Sequence, residues 1–182
     1  MNALIINCSP VKTGATQAII DVINNELKDY YNVKTICIDD YDIKFCKGCR
    51  NCHKTAKCEI KDDFLDVVKE LDNADKIISV SPSYWADVPG QFKSFIDRWT
   101  PWCNTHEPYA KLKPNKEGYT VVLRTGPNMK ECERLIETIE HFYGHLEINK
   151  QNHIGFTKIE NKEDVLKIEN DIKLFCKSII NE

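Results

Sequence analysis

Residues 3–20 read Ala3-Leu4-Ile5-Ile6-Asn7-Cys8-Ser9-Pro10-Val11-Lys12-Thr13-Gly14-Ala15-Thr16-Gln17-Ala18-Ile19-Ile20. Ala3 to Ile6 is a short apolar run, the mark of a strand buried on both faces. Asn7 to Thr16 is rich in hydroxyls and holds one Gly. Ala18, Ile19, Val22, Ile23 and Leu27 then recur at helical spacing. A loop that tips into a helix N-terminus presents free backbone N–H groups and the positive end of the helix dipole, and so suits an anion. Ser9, Thr13 and Thr16 can add hydroxyl donors. The alternative is a plain connection whose Ser and Thr only cap the helix. A nucleotide-binding Walker loop needs a second Gly followed by Lys, and a dinucleotide fingerprint needs three glycines; neither pattern is present. A phosphatase loop would place Arg six residues after Cys8, where Gly14 stands. A response regulator needs acids after its first strand, where this chain has Asn7-Cys8-Ser9. A phosphate-binding loop made of amides and hydroxyls remains.

The chain has 182 residues and a net charge of −3. Its length fits one domain over 1–182 with a sizeable core, about 70% of the unfolded surface being buried at this size. The near-balanced charge argues against nucleic acid or an anionic membrane as the main partner. No apolar run is long enough to span a bilayer, and the N-terminus lacks the basic flank and cleavage site of a secretory signal, so the sequence reads as cytoplasmic. Nine cysteines in a reducing compartment suggest metal or redox chemistry rather than disulfides.

Further strands are expected at 33–38, 76–80 (ending at Ser81-Pro82), 119–123 and within 147–156. Helices are expected from Asp62-Asp63, from Pro89, over 130–143 with Gly144 as the stop, and as one long amphipathic segment over 161–180. Strands alternating with helices predict a parallel sheet covered on both sides. The flavodoxin-like order 2-1-3-4-5 fits the length, giving an α/β three-layer sandwich with its ligand beyond the carboxyl ends of the strands, where flavodoxin itself holds FMN. Three loops meet there: 8–16, 82–89 and 125–128. The first suits the FMN phosphate. Ser81-Pro82-Ser83-Tyr84-Trp85-Ala86-Asp87-Val88 offers amides and aromatics for the ring, although Tyr84 and Trp85 equally suit a dimer surface. Trp99 and Trp102 read as core or interface.

A cysteine-rich loop occupies 44–61. Cys46, Cys49 and Cys52 stand at i, i+3 and i+6, and Cys58 follows. Three thiolates at this pitch can hold three corners of an iron–sulfur cubane, and a fourth closes the set. Zinc more often takes two separated Cys pairs, and four empty or redox-active thiols are the other alternative. Gly48 lets backbone approach closely. Lys44, Lys47, Arg50, Lys54, Lys57 and Lys61 would favour an anionic cluster and an acidic redox partner. Cys8, Cys37, Cys103, Cys132 and Cys176 are scattered and read mostly as small buried hydrophobes.

These motifs, with Ser81 to Lys93 and Asp97-Arg98, resemble the NADPH-dependent FMN reductase family and, within it, the iron–sulfur flavoproteins. The resemblance covers about the first hundred residues. It implies that Ser9, Val11, Gly14, Ala15 and Thr16 hold the FMN phosphate, that Pro82, Ser83, Tyr84, Trp85 and Val88 line the ring, and that Gly126 lies near it. It implies a [4Fe–4S] cluster on Cys46, Cys49, Cys52 and Cys58, and a homodimer or homotetramer with the cysteine loop near a neighbour's flavin. Two positions depart from the family: Cys8 replaces a Gly before Ser-Pro, and Ala56 replaces a frequent Gly. The function implied is an oxidoreductase that takes electrons from NAD(P)H or ferredoxin and gives them to a flavin, a quinone or an oxygen species. No side chain stands out as an acid or base. An electron carrier or redox sensor with the same cofactors, or a binding module with structural zinc, are the competing readings.

Overall fold

A computed structural model of the chain describes residues 1–181. Five strands, β1 (Asn2–Asn7), β2 (Asn32–Cys37), β3 (Lys76–Pro82), β4 (Glu117–Leu123) and β5 (Asn149–Phe156), form one sheet in the order β2-β1-β3-β4-β5. Every neighbouring pair is parallel, with Asn7 opposite both Cys37 and Val80, and Pro82 opposite Leu123. This is the flavodoxin-like order read from the sequence.

Alternation along the strands divides the core in two, because successive side chains of a strand point to opposite faces. Leu4, Ile6, Ile77 and Val122 face one layer, packed by α3 (Phe64–Asn73), α4 (Gly90–Asp97) and α5 (Met129–His145). Ala3, Ile5, Ile78, Val80 and Val121 face the other, packed by α1 (Ala15–Leu27) and α6 (Glu169–Ile180). Phe64, Phe95, Trp99 and Phe142 form an aromatic knot with mostly edge-to-face contacts, centroids 5.4–6.0 Å apart, which seats α4 and the 3₁₀ turn Thr100–Trp102. Trp99 is therefore core, as its spacing indicates.

Three boundaries differ from the sequence reading. Helix α5 runs through Gly144 to His145. It stops because Glu147, at φ 59°, takes the left-handed position that Gly usually fills. The amides of Glu147 and Ile148 donate to Gly144 and Tyr143 carbonyls at 3.3 and 3.0 Å. Buried Ile148 beside Tyr143 supplies the apolar contact that accompanies this stop. The segment 161–180 is not one helix. Asn161 and Asp164 form a reciprocal cap on a 3₁₀ stretch, Lys162–Lys167, and α6 begins only after Ile168 leaves helical geometry at φ −115°. A single helical turn, α2 (Cys52–Thr55), also lies inside the otherwise irregular cysteine loop.

Gly118 in β4 is a forced glycine, since a Cβ there would sit 2.6 Å from the Tyr143 ring. That ring is fixed by its hydroxyl, which donates to Ser79 Oγ at 2.6 Å. Gly118→Ala is therefore expected to lower unfolding free energy by about 1–3 kcal/mol, the usual cost of overpacking, in urea denaturation; an unchanged midpoint would show that Tyr143 can move aside.

Candidate functional site

The first loop is held in place by its own hydrogen bonds. Cys8 N–H donates to Val80 O at 3.0 Å and so ties the loop to the sheet. Asn7 Oδ1 accepts from Ser9 N–H at 2.9 Å, and Ser9 Oγ accepts from Val11 N–H at 3.0 Å. Ser9 and Thr16 are buried. The N-cap of α1 is Gly14, with no side-chain cap. The loop hydroxyls thus do not serve the helix, and the first-turn amides stay available to a ligand. Lys12, the one cation of the loop, is paired with Asp40, whose carboxylate pushes its pKa up. An anion would rest mainly on amides and hydroxyls.

The second loop leaves β3 at Pro82, where Ser83 N–H donates to Leu123 O at 2.8 Å. Tyr84 and Asp87 exchange two backbone bonds of 2.8 and 3.1 Å around Trp85 and Ala86, both left-handed at φ 53° and 60°. Turns of this hand normally use Gly or Asn, and each ordinary residue held so costs about 1–2 kcal/mol. Strain of this kind gathers at binding sites. It presents Trp85 to solvent at 102% exposure, while Val88 turns into the core. Ser83, Trp85 and Ala86 meet Arg124, Thr125 and Glu131 around a cavity of about 310 Å³. The sequence reading places Arg124 just after the fourth strand and gives it no role. Its guanidinium lies against Gly126, so close that any Cβ there would clash. Nη1 pairs with Glu131 at 2.5 Å and donates to Asn128 O at 3.1 Å, and Nε is buried without a partner.

The third site lies beside α4. Cys46, Cys49, Cys52 and Cys58 all line one cavity of about 310 Å³, with Lys47, Arg50, Lys57 and Arg98 in its wall. Among the described residues no three His, Cys, Asp or Glu close tightly enough for a single metal ion. The four thiols share the lining of one cavity, and that is the arrangement the structure gives them. Gly48 at φ 63° lets the chain turn between them. Ala56 takes φ 53°, a left-handed conformation that Gly adopts more freely.

Arg98 closes this loop and was also missed by the sequence reading, although it stands in a quoted motif. It is 2% exposed and forks onto the fully buried Asp62. Its Nη1 donates to Lys44 O at 2.8 Å, and its Nη2 donates to Cys58 Sγ at 3.6 Å. Asp62 in turn accepts from Lys44 and Phe64 amides at 2.9 and 3.2 Å. One ion pair therefore holds residue 44, Cys58 and residue 62 together. Burial pushes the Asp62 carboxyl up, but Arg98 and the two amides outweigh it and hold its pKa below the usual carboxylate range. Away from this loop, Cys8, Cys132 and Cys176 are buried, and burial pushes the Cys176 thiol up to about 12, which keeps it protonated and inert.

The NADPH-dependent FMN reductase model matches residues 1–153, and the chain belongs to that family. An iron–sulfur flavoprotein of Archaeoglobus fulgidus is 39% identical over 99 residues, 54% of this chain and 48% of the relative. A second from the same organism is 31% identical over 132 residues, 72% of this chain and 58% of the relative. The chain thus spans about half the length of the curated relatives it matches. Among solved structures, an FMN-dependent NADH-azoreductase of Bacillus anthracis, in complex with FMN, superposes with TM-score 0.72 at 11% identity, covering 99% of this chain and 100% of that one. An NAD(P)H:quinone oxidoreductase of Methanothermobacter marburgensis gives TM-score 0.75 at 10% identity over 98% of this chain and 94% of that one. These two likenesses establish the fold.

Thr16→Ala removes a hydroxyl, and Gly14→Val crowds Val11, whose Cγ1 is already 3.2 Å from the position of a Cβ. Each should weaken FMN binding by about tenfold or more, the loss of a hydrogen bond to a charged group, in fluorescence titration; wild-type affinity in both would take the phosphate site away from this loop. Arg98→Met strands a buried carboxylate and should cost about 3–5 kcal/mol in chemical denaturation. Since the folded Asp62 pKa is depressed, the stability that its pairing contributes is complete above its unfolded value near 4 and is lost as pH falls through the lower folded value. Asp62→Asn should flatten this acid limb of the stability profile; an unchanged limb would assign it to other carboxylates.

Proposed function

We propose that this chain is an FMN-dependent oxidoreductase that accepts electrons from NAD(P)H or a ferredoxin-type donor and passes them to a small acceptor such as a flavin, a quinone or an oxygen species. The observation that carries this reading is the uncapped, hydroxyl-lined N-terminus of α1, at the same sheet end as the strained Trp85-Ala86 turn. Ser9, Thr16 and the amides around Val11, Gly14 and Ala15 would hold the phosphate. Pro82, Ser83, Tyr84, Trp85 and Gly126 would border the ring, with Val88 supporting that loop from the core side. Bound FMN supplies two-electron and one-electron chemistry; the chain supplies position, electrostatics and exclusion of water. None of the residues bordering the ring is required to move a proton.

Cys46, Cys49, Cys52 and Cys58 would hold a [4Fe–4S] cluster in the cavity they line. Four thiolates make such a group anionic, and the surrounding Lys47, Arg50, Lys57 and Arg98 answer that charge. The exposed Cys46 and Cys49, within a basic fringe, suit exchange of single electrons with an acidic protein. Exposed Phe45, Tyr84 and Trp85 support a homodimer or homotetramer that would cover them. No helix among the described residues is long and apolar enough to cross a membrane.

Anaerobically prepared protein should show flavin absorption with a broad brown shoulder, both bleached by dithionite, and iron and sulfide on analysis. Flavin bands without iron would leave a plain FMN reductase. Protein that stays colourless with excess FMN would overturn the proposal.

A further inference from the structure

The fold places one guanidinium, that of Arg124, at the cavity that loops 82–89 and 125–128 share. Arg124 is the first residue beyond β4, its side chain is 13% exposed, and its backbone is fixed by bonds of 2.9 Å to Phe156 O and 3.0 Å from Ile159 N–H. A guanidinium is protonated throughout the accessible pH range. Burying one requires compensation, and here the compensation is incomplete. Glu131 and Asn128 O engage Nη1 alone, while Nε has no partner. The group forms one wall of the cavity that Ser83, Trp85, Ala86, Thr125 and the Glu131 carboxylate complete, between the two loops that would border the ring. A buried cation with unused donors, beside a cavity at the carboxyl ends of parallel strands, is arranged for a ligand that carries or gains negative charge.

We propose that Arg124 is a cofactor-contacting residue whose charge makes the site prefer reduced over oxidised FMN; this rests on the ring position argued above. Transfer of a hydride from a nicotinamide breaks its C4–H bond and forms N5–H on the flavin. The nicotinamide leaves oxidised, and the ring has gained two electrons and one proton. One negative charge therefore remains on the ring, spread over N1 and the C2 oxygen. Oxidised FMN has no such charge on its ring, so Arg124 gains attraction only on reduction. That attraction grows as a bound ring displaces water from between the two charges. Glu131 opposes the effect by drawing on the same guanidinium, and it sets how much of the Arg124 charge the ring meets.

The test uses apoprotein titrated anaerobically with FMN and with dithionite-reduced FMN, together with the midpoint potential of the bound pair and the near-ultraviolet spectrum of the reduced form. Arg124→Gln should cut the preference for reduced FMN by about tenfold, which is about 30 mV lower in a two-electron couple, and shift the reduced spectrum toward the neutral form at pH 7. Arg124→Lys should keep most of the preference, and Glu131→Gln should raise it. A purely structural Arg124 would lower both affinities together and leave their ratio and the spectrum unchanged, which overturns the inference. Thr16→Ala provides the contrast, because loss at the phosphate weakens both redox forms alike. Wild-type protein that binds neither form would remove the ring position itself, and this inference with it.

Discussion

A buried ion pair sets the geometry of the cysteine loop. Arg98 at the end of α4 and Asp62 before α3 are both withdrawn from water, and neither would be tolerable there alone. Their fork is completed by the Lys44 carbonyl and amide, so the two ends of an eighteen-residue insertion, 44–61, are pinned at one point. The aromatic knot under Arg98, with Phe64 4.8 Å from its guanidinium, fixes the height of that point against the sheet. The four thiols then have little freedom left except around the cavity they share. A loop without regular ladders can hold a defined shape because its closure is ionic and dry.

The flavin side relies on a different economy. Parallel strands end together, so β1, β3 and β4 deliver three loops to one edge without any loop having to be long. The first contributes unpaired amides, the second an exposed aromatic on a turn that ordinary residues adopt only under strain, and the third a half-compensated cation. Each would be a defect in a purely structural protein: an uncapped helix, two left-handed non-glycine residues and an orphaned guanidinium nitrogen. The last two line one cavity and the first lies at the same end of the sheet, which is regular enough to carry them.

The sheet order was legible because the three central strands, β1, β3 and β4, are apolar on both faces and strands alternate with helical periodicity, while the edge strands β2 and β5 are more polar and exposed; Ala3 to Ile6 already carries both cores in alternation. Helix ends were less legible. Gly144 looks like a stop, yet the chain turns three residues later at Glu147, because a buried Ile148 contact compensates a left-handed Glu. The 161–180 periodicity is real, but it spans a 3₁₀ stretch and a helix that share one face. Of the candidate site, the hydroxyl-rich first loop and the four thiols that line one cavity were legible as residue types at fixed spacing. Arg98 and Arg124 were not, since a charge buried by tertiary contact looks like any surface charge until its partners, 36 and 7 residues away, are brought beside it.

Cys46 and Gly48 stand on the partition between the thiol-lined space and a much larger open depression of about 800 Å³ bounded by α4 and α5. A cluster held on the thiol side, as proposed, would share Cys46 and Gly48 with that open depression, which is accessible to dissolved gases. Dioxygen would reach it as readily as any electron donor, and the loop would keep its metal only where air is scarce.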